Sequence, residues 1–325
     1  MHNDIERYVL SKGKAIGLKE AKATVMENSY SNKVYRIDSG RKRVILKVII
    51  DPLISEKRVA EKEVLLMNLF SDIAPRVLLA DSFDGHPAIF MEYLKGPALS
   101  DTKITRKDLL RCARLLARIH SVKISPKIRS AIARKYLKVP EENLDGSIEW
   151  LKSFGKRDEI VNRAIIVYRK FRRYYSENIT AFTPVICHGD FKLNNIIKGG
   201  NSLKAIDWEA ALVGDPAYDI NVLLWVADAE GERLLSKELR EDLLDEYLRI
   251  RPDATLRKRM TVYYNIANLQ ALFWIIRAYL AYNSGRVIRE SSKEEFRSVI
   301  KSNLRRFEKA KLGNKKLMLY LYKND

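Results

Sequence analysis

The sequence predicts an α+β fold in two parts, a small antiparallel-sheet lobe over residues 1–94 and a larger, mainly helical lobe over 95–325. Three observations predict it. β-rich runs crowd the first hundred residues, helical periodicity dominates the rest of the chain, and a few short apolar runs between residues 185 and 206 interrupt the helical part.

In the first part, Val34–Ile37 and Val44–Ile49 flank the turn signal Ser39-Gly40 and read as a hairpin. From Glu56 to Phe70 the apolar residues Val59, Leu66, Met67 and Phe70 recur at helical spacing; Ala88–Met91 reads as a further strand, and Gly96-Pro97 marks the exit. Thr105 is placed to cap a helix running to His120, with Asp108 as its capping-box partner. Further helices are predicted at 147–153, 157–176, 237–248, 256–282 and 293–311. Residues 184–187, 195–198 and 203–206 read as short strands, the last two joined at Gly199-Gly200-Asn201. Short strands with polar ends inside a helical region suggest a site mounted on loops.

A chain of 325 residues buries a core without staples. Cys112 and Cys187 lie far apart and outside any metal-binding spacing, which argues against a disulfide framework or a structural zinc and for a reducing, cytoplasmic setting. The opening residues carry no export signal, and the apolar stretch 269–282 is too short to span a bilayer and contains Arg277, so no membrane association is expected. Lys and Arg outnumber Asp and Glu by 60 to 41, a net charge of +19 that favours polyanions and admits a nucleic-acid partner, or else reflects a generally charge-rich composition. Composition sets no oligomeric state.

The strongest chemical signal is His188-Gly189-Asp190-Phe191-Lys192-Leu193-Asn194-Asn195, with Ile206-Asp207-Trp208-Glu209 downstream of it. An Asp followed five residues later by an Asn, then by a second Asp beyond a hairpin, is the order of groups that phosphoryl transfer needs. Asp190 would orient the acceptor hydroxyl and take its proton, while Asn195 and Asp207 would offer oxygen ligands to Mg2+. Taken singly, each is equally a turn residue. Lys192 is placed to meet the transferring phosphate as a point charge, or is a solvated lysine. His188 reads as a loop brace rather than a proton carrier.

These motifs resemble those of the aminoglycoside phosphotransferase and choline kinase-like family, which has HGDxxxxN and IDWE or IDFE segments, and Gly214-Asp215-Pro216-Ala217-Tyr218-Asp219 resembles its GDPxxD segment. The resemblance implies a protein-kinase-like two-lobed fold, ATP with Mg2+, and an Asp219 that braces the catalytic loop. It extends to the first lobe. Ser31-Asn32-Lys33-Val34-Tyr35-Arg36 resembles the end of the family's phosphate-covering loop, with Asn28-Ser29-Tyr30 where glycine is usual, and Lys47 resembles its phosphate-pairing lysine. Phe90–Leu94 resembles the hinge, where the backbone of Glu92 and Leu94 would receive adenine, and Leu116–Ser121 resembles a helix in which His120 packs. For the carboxylate that holds Lys47, Glu63 is chosen over Glu61 because it shares its face with Val59, Leu66, Met67 and Phe70.

The acceptor is less legible. Acids between Asp207 and Glu246, among them Glu209, Glu241, Asp242, Asp245 and Glu246, would suit a cationic alcohol or aminoglycoside if they line a pocket, with Trp208, Trp225 and Trp274 as walls; otherwise they are solvated faces and core. Basic residues at 103–138 and 293–316 offer a phosphate-tracking surface instead. The motifs favour a kinase for a small-molecule hydroxyl of amino-alcohol, aminoglycoside-like or sugar-like type. The alternatives are a kinase acting on RNA or protein and a non-catalytic nucleotide-binding module.

Overall fold

The computed structural model describes residues 2–26, 32–50, 56–132, 148–149, 151–152, 159–200, 202–229, 235–283 and 293–309. They divide into two compact units: Met1–Ile104 with Leu193–Ala211, and Thr105–Lys192 with Leu212–Asp325. The segment 193–211 thus clusters with the first unit, whereas the sequence division at 94 and 95 counts it with the second lobe.

The first unit is built on five strands, β1 (Lys22–Val25), β2 (Asn32–Ser39), β3 (Lys42–Ile49), β4 (Val77–Phe83) and β5 (His86–Glu92), in the order β1-β2-β3-β5-β4 with every pair antiparallel. Strand alternation sorts β3 into two faces. Val44, Leu46 and Val48 join Ile5 and Val9 of α1 (His2–Gly13) in one buried cluster, while Lys47 projects toward α2 (Glu56–Leu69). The expected hairpin is β2–β3, turning at Gly40 in the left-handed region. β4 was not foreseen, although Asp84-Gly85, both at positive φ, is the dipeptide a two-residue hairpin turn demands.

The return segment forms the hairpin β7 (Ile196–Gly199) and β8 (Ser202–Ala205), as expected. It is stitched to the first unit by backbone bonds from Lys198 N to Pro97 O (2.9 Å) and from Ala205 N to Ile73 O (2.7 Å), and by a bridge between Ala98 and Ile197. Gly96 sits at the closest approach. Its φ is +140°, and a Cβ there would overlap the carbonyl oxygen of Lys198.

The second unit contains α3 (Arg106–His120), α4 (Pro126–Ile132), α5 (Glu159–Asn178), the strand pair β6 (Val185–Cys187) and β9 (Leu212–Gly214), then α6 (Pro216–Ala229), α7 (Lys237–Ile250), α8 (Leu256–Asn283) and α9 (Lys293–Lys309). The capping box on α3 is present in both directions: Thr105 accepts from Asp108 N, and Asp108 accepts from Thr105 N.

Charge pairs lace α3 and α8 to α7. Arg106 meets Asp242 at 2.6 Å, Arg114 meets Glu246 at 2.6 Å, and Arg257 meets Glu241 and Asp245 at 2.5 and 2.8 Å. Arg106 and Arg114 of the basic stretch at 103–138 and Asp242 and Glu246 of the acidic one, which the sequence offers as rival binding surfaces, are thus partners of one another. On α9, Glu308 pairs with Arg163 at 2.8 Å and Lys301 with Glu159 at 3.3 Å. Trp208 is fully buried against Phe70 and is core rather than a pocket wall; Glu230 and Glu232, and the side chains of Trp225 and Trp274, lie outside the described residues.

Two outcomes are expected. Gly96→Ala should cost about 2 kcal/mol or more of stability in urea unfolding, since positive φ and overlap with backbone act together. Arg249 and Arg114 hold Glu246 down to about 2 from its ordinary 4.5, so its contribution is full above about pH 4.5 and is lost as pH falls through about 2. Glu246→Gln should therefore lose less stability than the parent between pH 6 and pH 3, by about 1 kcal/mol or less for pairs with such exposed arginines.

Candidate active site

Lys47 lies at the centre of the first unit's polar cluster. It is 5% exposed, and its Nζ donates to Glu63 on α2 at 2.9 and 3.0 Å, to Asp207 Oδ1 at 2.7 Å and to Glu209 Oε2 at 2.8 Å. Burial works against the ammonium, but Asp207, Glu63 and Glu209 together more than offset it and hold Lys47 charged, well above its ordinary value. Burial pushes Glu63 up to about 7; Lys47 pulls it down, and Asp207 and Glu209 push it up again. Glu63 rather than Glu61 thus meets Lys47, as its place on the inward face of α2 predicts.

Asn32 opens β2 and is buried, with Nδ2 donating to Glu209 Oε2 at 2.6 Å. Ser31 and the preceding loop lie outside the described residues. Glu92 ends β5, opposite Val44 of β3; its backbone N–H donates to Arg76 O at 2.9 Å and its carboxylate meets Lys204 at 3.2 Å. Leu94 lies two residues further on in the loop, partly buried.

Asn195 and Asp207 stand at the two feet of the β7–β8 hairpin. Ile206 N donates to Asn195 O at 2.9 Å, which closes the feet together. Asp207 has φ +65°, a left-handed backbone that few non-glycine residues adopt, and it begins the short 3-10 turn Trp208–Ala210. An all-oxygen pair beside a lysine already facing three carboxylates suits a hard divalent cation such as Mg2+, both by ligand type and by the excess of negative charge. Glu209 completes this cluster. It closes the Ile206–Glu209 motif, but nothing local marks it as a site residue, because only the fold brings it to Lys47.

In the second unit, Asp190 and Lys192 form a pair at 2.9 Å, each about a third exposed. Their loop is braced from below. Asp219 on α6 accepts from His188 N at 2.6 Å and Gly189 N at 2.8 Å; Gly189 is in the left-handed region at φ +84°. His120 lies 3.1 Å from Asp219 through Nε2 and 2.8 Å from the Tyr247 hydroxyl through Nδ1, all buried. His120, Cys187 and Asp219 are the one grouping of metal-type ligands among the described residues. These contacts, and the bond from Cys187 Sγ to Asp215 O at 3.4 Å, make it a bracing network rather than a metal centre. Asp215 is buried with Arg259 at 2.6 Å, and Arg259 also meets Asp253 at 2.6 Å.

A sequence model of the phosphotransferase enzyme family matches residues 22–254. Among solved structures, an ethanolamine kinase from Plasmodium vivax superposes with a TM-score of 0.69 at 16% identity, covering 92% of this chain and 86% of that one. A spectinomycin phosphotransferase in complex with ADP and spectinomycin superposes at 0.65 with 15% identity, covering 93% and 94%. Both likenesses concern the fold, which is protein-kinase-like. Mouse acyl-CoA dehydrogenase family member 10 (Mus musculus) is 26% identical over 227 residues, 60% of this chain but only 19% of that much longer protein. The chain belongs to the phosphotransferase enzyme family.

Proposed function

We propose that the protein transfers the γ-phosphoryl group of ATP, with Mg2+, to a hydroxyl of a small amino-alcohol, aminoglycoside-like or sugar-like molecule. The observation that carries the reading is the buried Lys47 held by Glu63 and shared with Asp207 and Glu209, a cation fixed where polyphosphate oxygens would need one.

In this reading Lys47 receives the phosphates, Asn32 and Ser31 end the loop that covers them, and the backbone of Glu92 and Leu94 receives adenine. Asn195 and Asp207 would hold Mg2+, which would offset the charge of the phosphates. Asp190 orients the acceptor hydroxyl and takes its proton. Lys192 steadies Asp190 through their 2.9 Å contact and offers a point charge to the transferring group. Asp219 keeps the loop in shape by filling two backbone N–H groups with one carboxylate.

The acceptor class draws on the fold neighbours, whose named substrates include ethanolamine and spectinomycin. A kinase for RNA or protein, and a nucleic-acid partner more broadly, draws on the net charge and the basic stretches at 103–138 and 293–316, of which Arg106 and Arg114 are spent on the acids of α7. A cytoplasmic setting belongs to the same proposal, in keeping with two free, buried cysteines; no helix among the described residues is long and apolar enough to cross a membrane.

The test supplies γ-labelled ATP and Mg2+ with a fractionated cell extract, beside Asp190→Asn. Label is expected in the small-molecule fraction and should fall at least about a hundredfold in the variant, with ATP affinity retained. Label in RNA or protein would overturn the acceptor assignment, and a near parental rate in Asp190→Asn would overturn the base. Asp207→Ala should lose the magnesium-dependent part of ATP affinity in calorimetry; an unchanged dissociation constant would contradict its role.

A further inference from the structure

Lys62 precedes Glu63 on α2, and the phosphoryl transfer proposed for the site gives it no part. It is 8% exposed, an expensive place for an ammonium. Its Nζ donates to the carbonyl of Ala211 at 3.1 Å. Ala211 caps the 3-10 turn that Asp207 begins and that contains Glu209. Phe70, the residue that follows α2, holds the same turn by stacking on Trp208, with ring centroids 4.8 Å apart and planes at 14°. Trp208 in turn donates its Nε1–H to Ala205 O at 3.0 Å, at the end of β8. The turn is therefore held at its first residue by the ring that follows α2 and at its far end by a buried cation of α2, while Glu63 reaches Asp207 and Glu209 through Lys47.

Packing alone does not require a lysine here; a methionine would fill a similar volume without desolvating a charge. Burial brings the Lys62 ammonium down to about 8, with Glu63 and Glu209 opposing and Lys47 adding to the loss. Those three groups, from α2, the turn and β3, are the charges that face it.

We propose that Lys62 is a positioning residue for the metal-bound nucleotide: by fixing the carbonyl of Ala211 against α2 it sets where Asp207 and Glu209 stand relative to Lys47 and Glu63. The inference rests on the reading of Asp207 as a magnesium ligand. A residue acting only through its charge makes the opposite prediction, because removing an ammonium beside carboxylates strengthens their hold on a divalent cation.

The experiment measures ATP affinity calorimetrically across a magnesium series for the parent protein and Lys62→Met, with a thermal melt of each in the absence of nucleotide. The magnesium concentration giving half of the gain in ATP affinity is expected to rise about tenfold in Lys62→Met, as for loss of an outer-sphere support, while the melting temperature is unchanged or higher. An unchanged or lower half-saturating magnesium concentration overturns the proposal. So does a Lys62→Met protein that fails to fold, which would make Lys62 a requirement of the fold itself. A parent protein whose ATP affinity does not respond to magnesium overturns the underlying magnesium reading, and is distinguished from failure of the lysine's role because it appears before any substitution is made.

Discussion

One buried ammonium organises the first unit. Lys47 cannot stay charged at 5% exposure without carboxylates to replace water, and the chain supplies them from two places far apart in sequence. Glu63 comes from the helix after the strand; Asp207 and Glu209 come from a segment some 160 residues on. That segment has to be brought home by contacts of its own. The bridge between Ala98 and Ile197, the bond from Ala205 to Ile73 and the close approach at Gly96 are what fix the hairpin that carries it. The side-chain direction on β3 then comes from strand alternation: with Val44, Leu46 and Val48 committed to the α1 face, Lys47 has only the α2 face left.

The second unit solves a different problem with the same physics. The loop His188–Lys192 bends sharply, with Gly189 at positive φ, and its backbone N–H groups would be buried without partners. Asp219 satisfies two of them and is itself held by His120, whose other nitrogen meets Tyr247. A carboxylate used in this way is structural even though it sits beneath the proposed base. Residue type alone therefore does not separate Asp190 from Asp219. Exposure and partners do, since Asp190 is about a third exposed and contacts Lys192, whereas Asp219 is fully enclosed.

Local rules made much of this legible. The capping box at Thr105 and Asp108, the β2–β3 hairpin and the choice of Glu63 over Glu61 all depend on spacings of a few residues, and the structure carries each as expected. What stayed hidden depends on long-range partners. The acids of α7 read either as a pocket lining or as solvated faces because nothing local says that arginines from α3 and α8 meet them. Glu209 reads only as one of the acids of a possible acceptor pocket, and Lys62 carries no local signal, because their contacts are created by packing against residues some 150 positions away. β4 is a different case: its signal, Asp84-Gly85 before a strand, was local and available.

The balance of charge around Lys47 bears on how a nucleotide would enter. One lysine faces three carboxylates, Lys62 is the second buried cation beside them, and the sum is still negative. A bare polyphosphate brought to such a cluster meets repulsion that Lys47 alone does not cancel, because its Nζ already donates to all three acids. Burial is the first cause that raises Glu63 to about 7; Lys47 opposes it, and Asp207 and Glu209 add to the rise. A divalent cation would relieve the repulsion and meet oxygen ligands in doing so. In the proposed reading the arrangement would favour nucleotide accompanied by metal over nucleotide alone, through groups that lie within the first unit.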